Sequence, residues 1–374
     1  MTVPFLDLKR QYATIREEVE RAVGAVLESQ QFILGPEVER LEQEIAALCG
    51  TRHGIGVASG TDALMLALQA VGVKAGDAVL TSAFSFFATA SSITRLGARP
   101  VFADIEEETF NIDPSSVEAA AVPETSAIMP VHIFGQCAAV ETIREAVASA
   151  TGRQAAVVED AAQAIGAARN GRPAGSLGDA GCLSFYPTKN LGGAGDGGMV
   201  VTNDERIALR VKRLRAHGDV GRYDHREVGM NSRLDSLQAA ILRVKAARLA
   251  DWNDARRARA REYASLLADV GGDLRLPRVA EGNVHTYHQY VIRTRRRDAL
   301  AEFLAGRGIG SAIYYPTPLH LQPCFASLGY SAGDLPRTEA ACREVLALPL
   351  YPELSAQEQQ SVASAIREFF RTGH

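Results

Sequence analysis

Ala155-Ala156-Val157-Val158-Glu159-Asp160 and Gly181-Cys182-Leu183-Ser184-Phe185-Tyr186 are short, almost continuously apolar runs that end in polar groups. Runs of this kind fit strands buried on both faces, as in a parallel sheet covered by helices. Similar runs recur on either side, at residues 54–59, 77–82, 99–105, 126–133 and 197–203, with helix-patterned segments among them. The alternation predicts an α/β fold built on a mainly parallel sheet. From residue 235 to about 270, Leu237, Ile241, Leu242, Val244 and Leu249 form an apolar stripe, which predicts one long helix leaving this first unit. Beyond Gly271, a strand at 286–294, a helix at 297–308, a strand at 310–315 and two further helices predict a smaller α+β unit. A chain of 374 residues exceeds one ordinary core, so residues 1–250 and 251–374 are expected to form a large and a small C-terminal domain.

Charge narrows the function classes. With 40 basic and 44 acidic residues the net charge is −4, which offers no general attraction to nucleic acid or to an anionic membrane. The basic runs at 256–261 and 293–297 carry no interleaved aromatics for stacking bases and read as solvated faces. Any anionic ligand must therefore be held by local chemistry. The five cysteines are scattered and odd in number, which argues against a disulfide framework and a structural zinc site. His217 with His225, and His285 with His288, lack the spacing of metal ligands, so no metal is expected. No basic start followed by an apolar run is present, and no uninterrupted apolar stretch of about 18 residues, so no membrane association is expected and the cytoplasm is the expected location.

Three segments carry chemistry. Ala58-Ser59-Gly60-Thr61-Asp62 leaves a strand through a glycine and opens a helix with hydroxyl groups; it reads either as a phosphate cradle or as simple N-caps. Asp160 ends an apolar strand at the sheet edge where open α/β folds bind ligands. It reads as a helix N-cap or as the carboxylate that keeps a pyridinium nitrogen protonated, which pyridoxal phosphate (PLP) requires; Gln163 would then meet the cofactor's phenolate oxygen. Lys189 follows a strand and precedes a glycine-rich loop, a position where desolvation favours a nucleophilic amine, although most lysines are merely solvated. Residues 193–198 match G-x-G-x-x-G but precede an apparent strand, the wrong context for a dinucleotide site, and read as a flexible turn.

In this order and spacing the segments resemble the DegT-type family of PLP-dependent nucleotide-sugar aminotransferases over nearly the whole chain. Phe5-Leu6-Asp7-Leu8 and Phe32-Ile33-Leu34-Gly35-Pro36-Glu37 resemble its opening, and Ser59-Gly60-Thr61-Asp62-Ala63-Leu64 its phosphate-binding turn. The resemblance implies an aspartate-aminotransferase-like fold, with a mixed, mostly parallel seven-stranded sheet in the large domain and a smaller α+β domain, the N-terminal segment packing with the latter. It implies that Phe86 stacks on the PLP ring, Asp160 and Gln163 meet the ring nitrogen and phenolate, and Ser184 with Gly60 and Thr61 holds the phosphate. Lys189 is implied as Schiff-base lysine and general base. Gly229-Met230-Asn231-Ser232-Arg233-Leu234-Asp235 resembles the segment whose asparagine, here Asn231, reaches the neighbouring subunit's phosphate, implying a homodimer with shared sites. L-Glutamate is the implied amino donor. The 217–235 stretch resembles members that aminate C3 of 3-keto sugars more than those acting at C4, and Gly135-Gln136-Cys137-Ala138 those taking UDP-linked 3-keto uronic acids, with dTDP-linked 3-keto-6-deoxy sugars the alternative. Arg233, Tyr315 and His320 are the implied sugar contacts; Tyr314 stands where several relatives carry histidine. Lys189 argues against the related dehydratases, which place histidine there. A binding protein without turnover would be expected to lose Lys189 or Asp160.

Overall fold

The computed structural model describes residues 2–372. Helices α1 (Leu8–Ser29) and α2 (Pro36–Leu48) precede strand β1 (His53–Val57). Strands β2 (Ala78–Ser82), β3 (Arg99–Ala103), β4 (Thr125–Met129) and β5 (Ala156–Asp160) follow. They are separated by α3 (Gly60–Ala70), α4 (Phe87–Arg95), α5 (Pro114–Ala120) and α6 (Val140–Thr151). A small ribbon, β6 (Ala168–Arg169) and β7 (Arg172–Pro173), leads to β8 (Ala180–Ser184), β9 (Gly198–Thr202) and α7 (Glu205–Leu214). The main sheet has the order β1-β9-β8-β5-β4-β2-β3. Only β9 runs against the others, pairing antiparallel with β1 and β8, while β8, β5, β4, β2 and β3 pair in parallel. This is the mainly parallel sheet that the apolar runs predicted and the mixed seven-stranded form that the resemblance implied. Two apolar clusters cover its faces, one containing Val157, Leu183 and Met199 and the other Val158, Cys182 and Val200, so alternate residues of each strand feed opposite cores.

Where the sequence predicts one long helix after residue 235, the chain forms α8 (Ser236–Ala246) and α9 (Leu249–Leu267). The break lets the chain change partners, because α8 packs on α1 and α2 whereas α9 packs on α12 (Ala356–Thr372). The C-terminal part adds β10 (Asn283–Val284), β11 (Tyr290–Arg293), α10 (Arg297–Gly306), α11 (Pro336–Glu344) and β12 (Val345–Leu348). Antiparallel β11 and β12 form its two-stranded sheet. The strand predicted at 310–315 is absent. That segment makes a single bridge, Ala312 to Ala347, and then carries Tyr314 and Tyr315 towards the large unit. A third core joins Val3 to Tyr263, Leu300, Leu346 and Phe369, and the Val3 N–H donates to the Gly308 carbonyl at 2.9 Å. The N-terminal residues thus pack with the C-terminal unit.

Candidate active site

The carboxyl ends of the parallel strands supply the functional groups, as an open α/β sheet dictates. At the first of these ends Ser59 is the N-cap of α3, its Oγ accepting from the Asp62 N–H at 3.1 Å. The bland reading therefore holds for Ser59, while Gly60 and Thr61 line a cavity with their N–H groups in the first helical turn, where no intrahelical partner exists. Gly60 is required here for space: a Cβ would stand 2.7 Å from the Ser184 Cβ, at the end of β8. Gly198 serves the same junction, since a Cβ there would meet the Ser59 carbonyl at 2.4 Å. The 193–198 run is a turn leading into β9, as its context predicted. Gly60→Ala is expected to lower affinity for an anionic ligand at least about tenfold and to destabilise the fold by about 1–3 kcal/mol, as titration and thermal melting would show.

Asp160 closes β5. Strand alternation sends Glu159 the other way, into full burial against His132 Nε2 (2.7 Å) and the N–H groups of Gly175 and Gly178 (both 2.7 Å). The Asp160 main chain is clamped by the Pro130 carbonyl (2.9 Å) and the His132 N–H (3.0 Å). Its carboxylate accepts from Thr89 Oγ1 at 2.7 Å and from the Ala162 N–H at 3.3 Å, and Ser85 Oγ lies 2.7 Å behind Thr89. Because Thr89 spends its proton on Asp160, Ser85 must donate to Thr89, and the carboxylate orientation is fixed. Burial pushes the Asp160 carboxyl above its ordinary range, opposed by Thr89, the Ala162 N–H, Lys189 and His132.

Lys189 lies in the loop after β8, its N–H donating to the Tyr186 carbonyl at 2.9 Å. Desolvation pulls its amine down to about 8, against the upward pull of Asp160. The amide of Gln163 is held by both ends: Oε1 accepts from the Phe134 N–H (2.7 Å) and Nε2 donates to the Tyr315 hydroxyl (3.0 Å). Phe86, 59% exposed, sits 6.3 Å ring to ring from Tyr315. These residues border one cavity of about 490 Å³, together with Ser184, Tyr186, Asp196, His288 and Tyr314.

Three expected contacts lie outside that cavity. Asn231 is exposed, and Ser232 ties its segment to the turn that opens α3 by accepting from the Ala58 N–H (3.2 Å) and donating to Asp62 (2.7 Å). Arg233 has no ion pair among the described residues, and its buried Nε is without a partner. His320 differs from the expectation: it is 1% exposed, with Nε2 3.3 Å from Glu339 and its ring edge-on to Tyr330, and it does not border this cavity. The resemblance implied a place on the cavity wall, but the 3-10 turn at Leu319–Leu321 carries His320 into the interior. Sequence reading missed Tyr186, Asp196 and His288. His288 stands out only through its grouping with His285, whose spacing does not fit metal ligands and reads as polar surface or a substrate contact.

The model of the DegT/DnrJ/EryC1/StrS aminotransferase family matches residues 13–367. A Geobacillus stearothermophilus protein named "Pleiotropic regulatory protein" is 51% identical over 99% of both chains. An Acidithiobacillus ferrooxidans protein named as a UDP-N-acetyl-3-dehydro-alpha-D-glucosamine 3-aminotransferase is 45% identical over 98% of this chain and 97% of its own. Among solved structures, S. venezuelae DesV in complex with a ketimine intermediate superposes with a TM-score of 0.95 at 43% identity, covering 99% of this chain and 98% of that one. On these matches and the geometry of its cavity, the chain belongs to the DegT/DnrJ/EryC1/StrS aminotransferase family.

Proposed function

We propose that this chain transfers an amino group from L-glutamate to C3 of a nucleotide-linked 3-keto sugar, using the PLP on which aminotransferases of its family depend. The observation that carries the reading is Lys189 and Asp160 on one cavity, with the Gly60–Ser184 junction and the α3 N-terminus beside them. These residues fit the cofactor: free N–H groups and the Ser184 hydroxyl suit a phosphate, a buried carboxylate suits a pyridinium nitrogen, and a desolvated amine suits a carbonyl carbon. Bound PLP supplies that carbon and a ring that takes up electron density from the carbon losing its proton.

Lys189 acts first as nucleophile through its Nζ lone pair and, once released by the incoming amine, takes and returns the substrate proton at Nζ. An amine drawn down to about 8 suits both tasks near neutrality. Asp160 holds a proton on the ring nitrogen through its carboxylate charge, which Thr89 and Ala162 favour despite burial. The Gln163 amide, with its oxygen committed to Phe134, presents only N–H groups and so suits a phenolate. Phe86, Tyr186, Tyr314 and Tyr315 wall the cavity with aromatic rings.

Asn231 and Arg233 complete the reading across a homodimer, Asn231 meeting the phosphate and Arg233 the sugar of the other subunit's site. Support comes from the exposed Asn231, the uncompensated Arg233 and an arm that leaves Tyr223 94% and Val228 89% exposed. Mixing Lys189→Ala with Asn231→Ala subunits should restore activity towards one quarter to one half of the wild type, because one hybrid site keeps both groups; silent, verified heterodimers would refute sharing. The same reading divides the chain near residue 250 and counts the first residues with the smaller unit, with which Val3 packs. Among the described residues no helix is long and apolar enough to cross a membrane. The cytoplasm, where thiols stay reduced, suits five free cysteines.

The deciding measurement is an absorbance spectrum before and after L-glutamate, followed by UDP- and dTDP-linked 3-keto and 4-keto sugars. The expected result is a yellow protein bleached by glutamate and recoloured by a 3-keto sugar; recolouring by 4-keto sugars alone would move the reaction to C4. The relative named as a regulatory protein favours a second reading, ligand binding without turnover. Lys189 and Asp160 both stand against it, and a protein that binds PLP but never bleaches would establish it.

A further inference from the structure

His288 precedes β11 and borders the cavity that also holds Lys189. Two main-chain carbonyls fix its tautomer. Asn253 Nδ2 donates to the Ile165 carbonyl at 3.2 Å, which turns Asn253 Oδ1 towards Asn190. Asn190 Nδ2 donates to that oxygen (2.8 Å) and to the Thr286 carbonyl (3.3 Å), which turns Asn190 Oδ1 towards His288. The contact of 3.2 Å between Asn190 Oδ1 and His288 Nδ1 therefore requires a proton on Nδ1. Nε2 is left as a bare lone pair, without a protein partner among the described residues. Behind the ring, the buried Arg256 donates to the carbonyls of Tyr287 (3.2 Å), His288 (3.5 Å) and Leu350 (2.9 Å), fixing the backbone that carries it. Burial and the charges of Lys189 and Arg256 keep the imidazole neutral.

Lys189 Nζ is likewise without a protein hydrogen bond among the described residues. One cavity thus holds an unpaired three-proton donor on a flexible stem and an unpaired, orientation-locked acceptor. We propose that His288 is a positioning residue for Lys189: Nε2 accepts a hydrogen bond from the Lys189 ammonium whenever that amine is not bonded to the cofactor, steering it within the cavity and favouring its charged form. The proton stays on Nζ, so no transfer to His288 is involved. The inference rests on the proposed role of Lys189. The other ionisable groups around Lys189 are Asp160 on β5, Asp196 before β9, Tyr186 in its own loop, and Tyr314 and Tyr315 from the C-terminal unit. Each is retained in the variants below.

The test uses the full chain freed of cofactor. The rate of PLP capture, read by the growth of its visible band, is measured against pH. Its half-maximal pH in the wild type is expected near 8. In His288→Leu it should fall by about one pH unit, the worth of a lost charge-assisted hydrogen bond. His288→Gln, whose carbonyl oxygen also accepts, should stay within about 0.3 units of the wild type. Nitrogen-15 NMR of histidine-labelled wild type needs no variant and should show His288 neutral and protonated on Nδ1 between pH 6 and 9. An unchanged half-maximal pH in a His288→Leu protein of wild-type circular dichroism, or a His288 protonated on Nε2, would overturn the inference while leaving the site reading intact. Failure of the wild type to capture PLP would overturn that reading and this inference with it.

Discussion

Lys189→Ala is expected to lose turnover by at least about 10⁴-fold, since one substitution removes both nucleophile and proton shuttle. Its visible band should disappear, because no amine remains to bond the cofactor. PLP should still bind, held by Ser184, the N–H groups of Gly60 and Thr61, and Asp160, none of which the change touches. Equilibrium dialysis of the variant against PLP, beside single-turnover kinetics, separates the two functions. Loss of PLP binding together with turnover would show instead that the cradle depends on the covalent bond. Retained turnover would remove Lys189 from the reaction.

Asp160→Asn is expected to lower kcat by about 10²–10³-fold, the usual scale when one preorganised electrostatic group is lost. The amide keeps the shape, but a neutral group cannot hold a proton on a pyridine nitrogen. Stability should move the other way. Burial raises the Asp160 carboxyl's pKa in the folded apoprotein, so its contribution to stability is fully present below the unfolded carboxylate pKa and is lost as pH rises through the folded value. At neutral pH the native apoprotein therefore carries a cost for burying that group, and Asn relieves it. Cofactor-free Asp160→Asn should melt at a temperature equal to or above the wild type's at pH 7, with the difference vanishing at acid pH. A lower melting temperature would mean that the Thr89 and Ala162 bonds outweigh the desolvation they oppose.

The seven strands were legible because each is buried on both faces and reads as an apolar run. Where a run outlasts its strand, local chemistry interrupts it: Pro130 has no N–H to give the ladder, so regular β4 ends at Met129, while single-bridge pairing with β5 resumes at Val131 and Asp160. That Gly60, Asp160, Ser184 and Lys189 border one cavity was legible because strand ends are where this architecture opens its crevice. His288 was not. It joins the cavity of Lys189 from 99 positions away in the sequence and is oriented by an Asn190–Asn253 contact that no local pattern records. The segment at 310–315 failed for a related reason, since its β-like composition reflects aromatic side chains given to the cavity wall instead of a ladder. The long helix expected from residue 235 failed because a continuous apolar stripe cannot reveal that its two halves pack on different neighbours.

Strands β8 and β9 lie between β1 and β5 in the sheet, although both follow β5 in the chain. The contact of Gly60 with Ser184 therefore joins residues that become neighbours only after β9 has inserted beside β1. No fragment ending before residue 198 can hold the complete cradle, however well its own helices and strands form. Because such non-local pairings pay their loop-closure entropy before any contact rewards them, anion affinity at this junction is expected to arise late in assembly. Capture of an anion by a refolding chain is thus expected to report that the central sheet has closed.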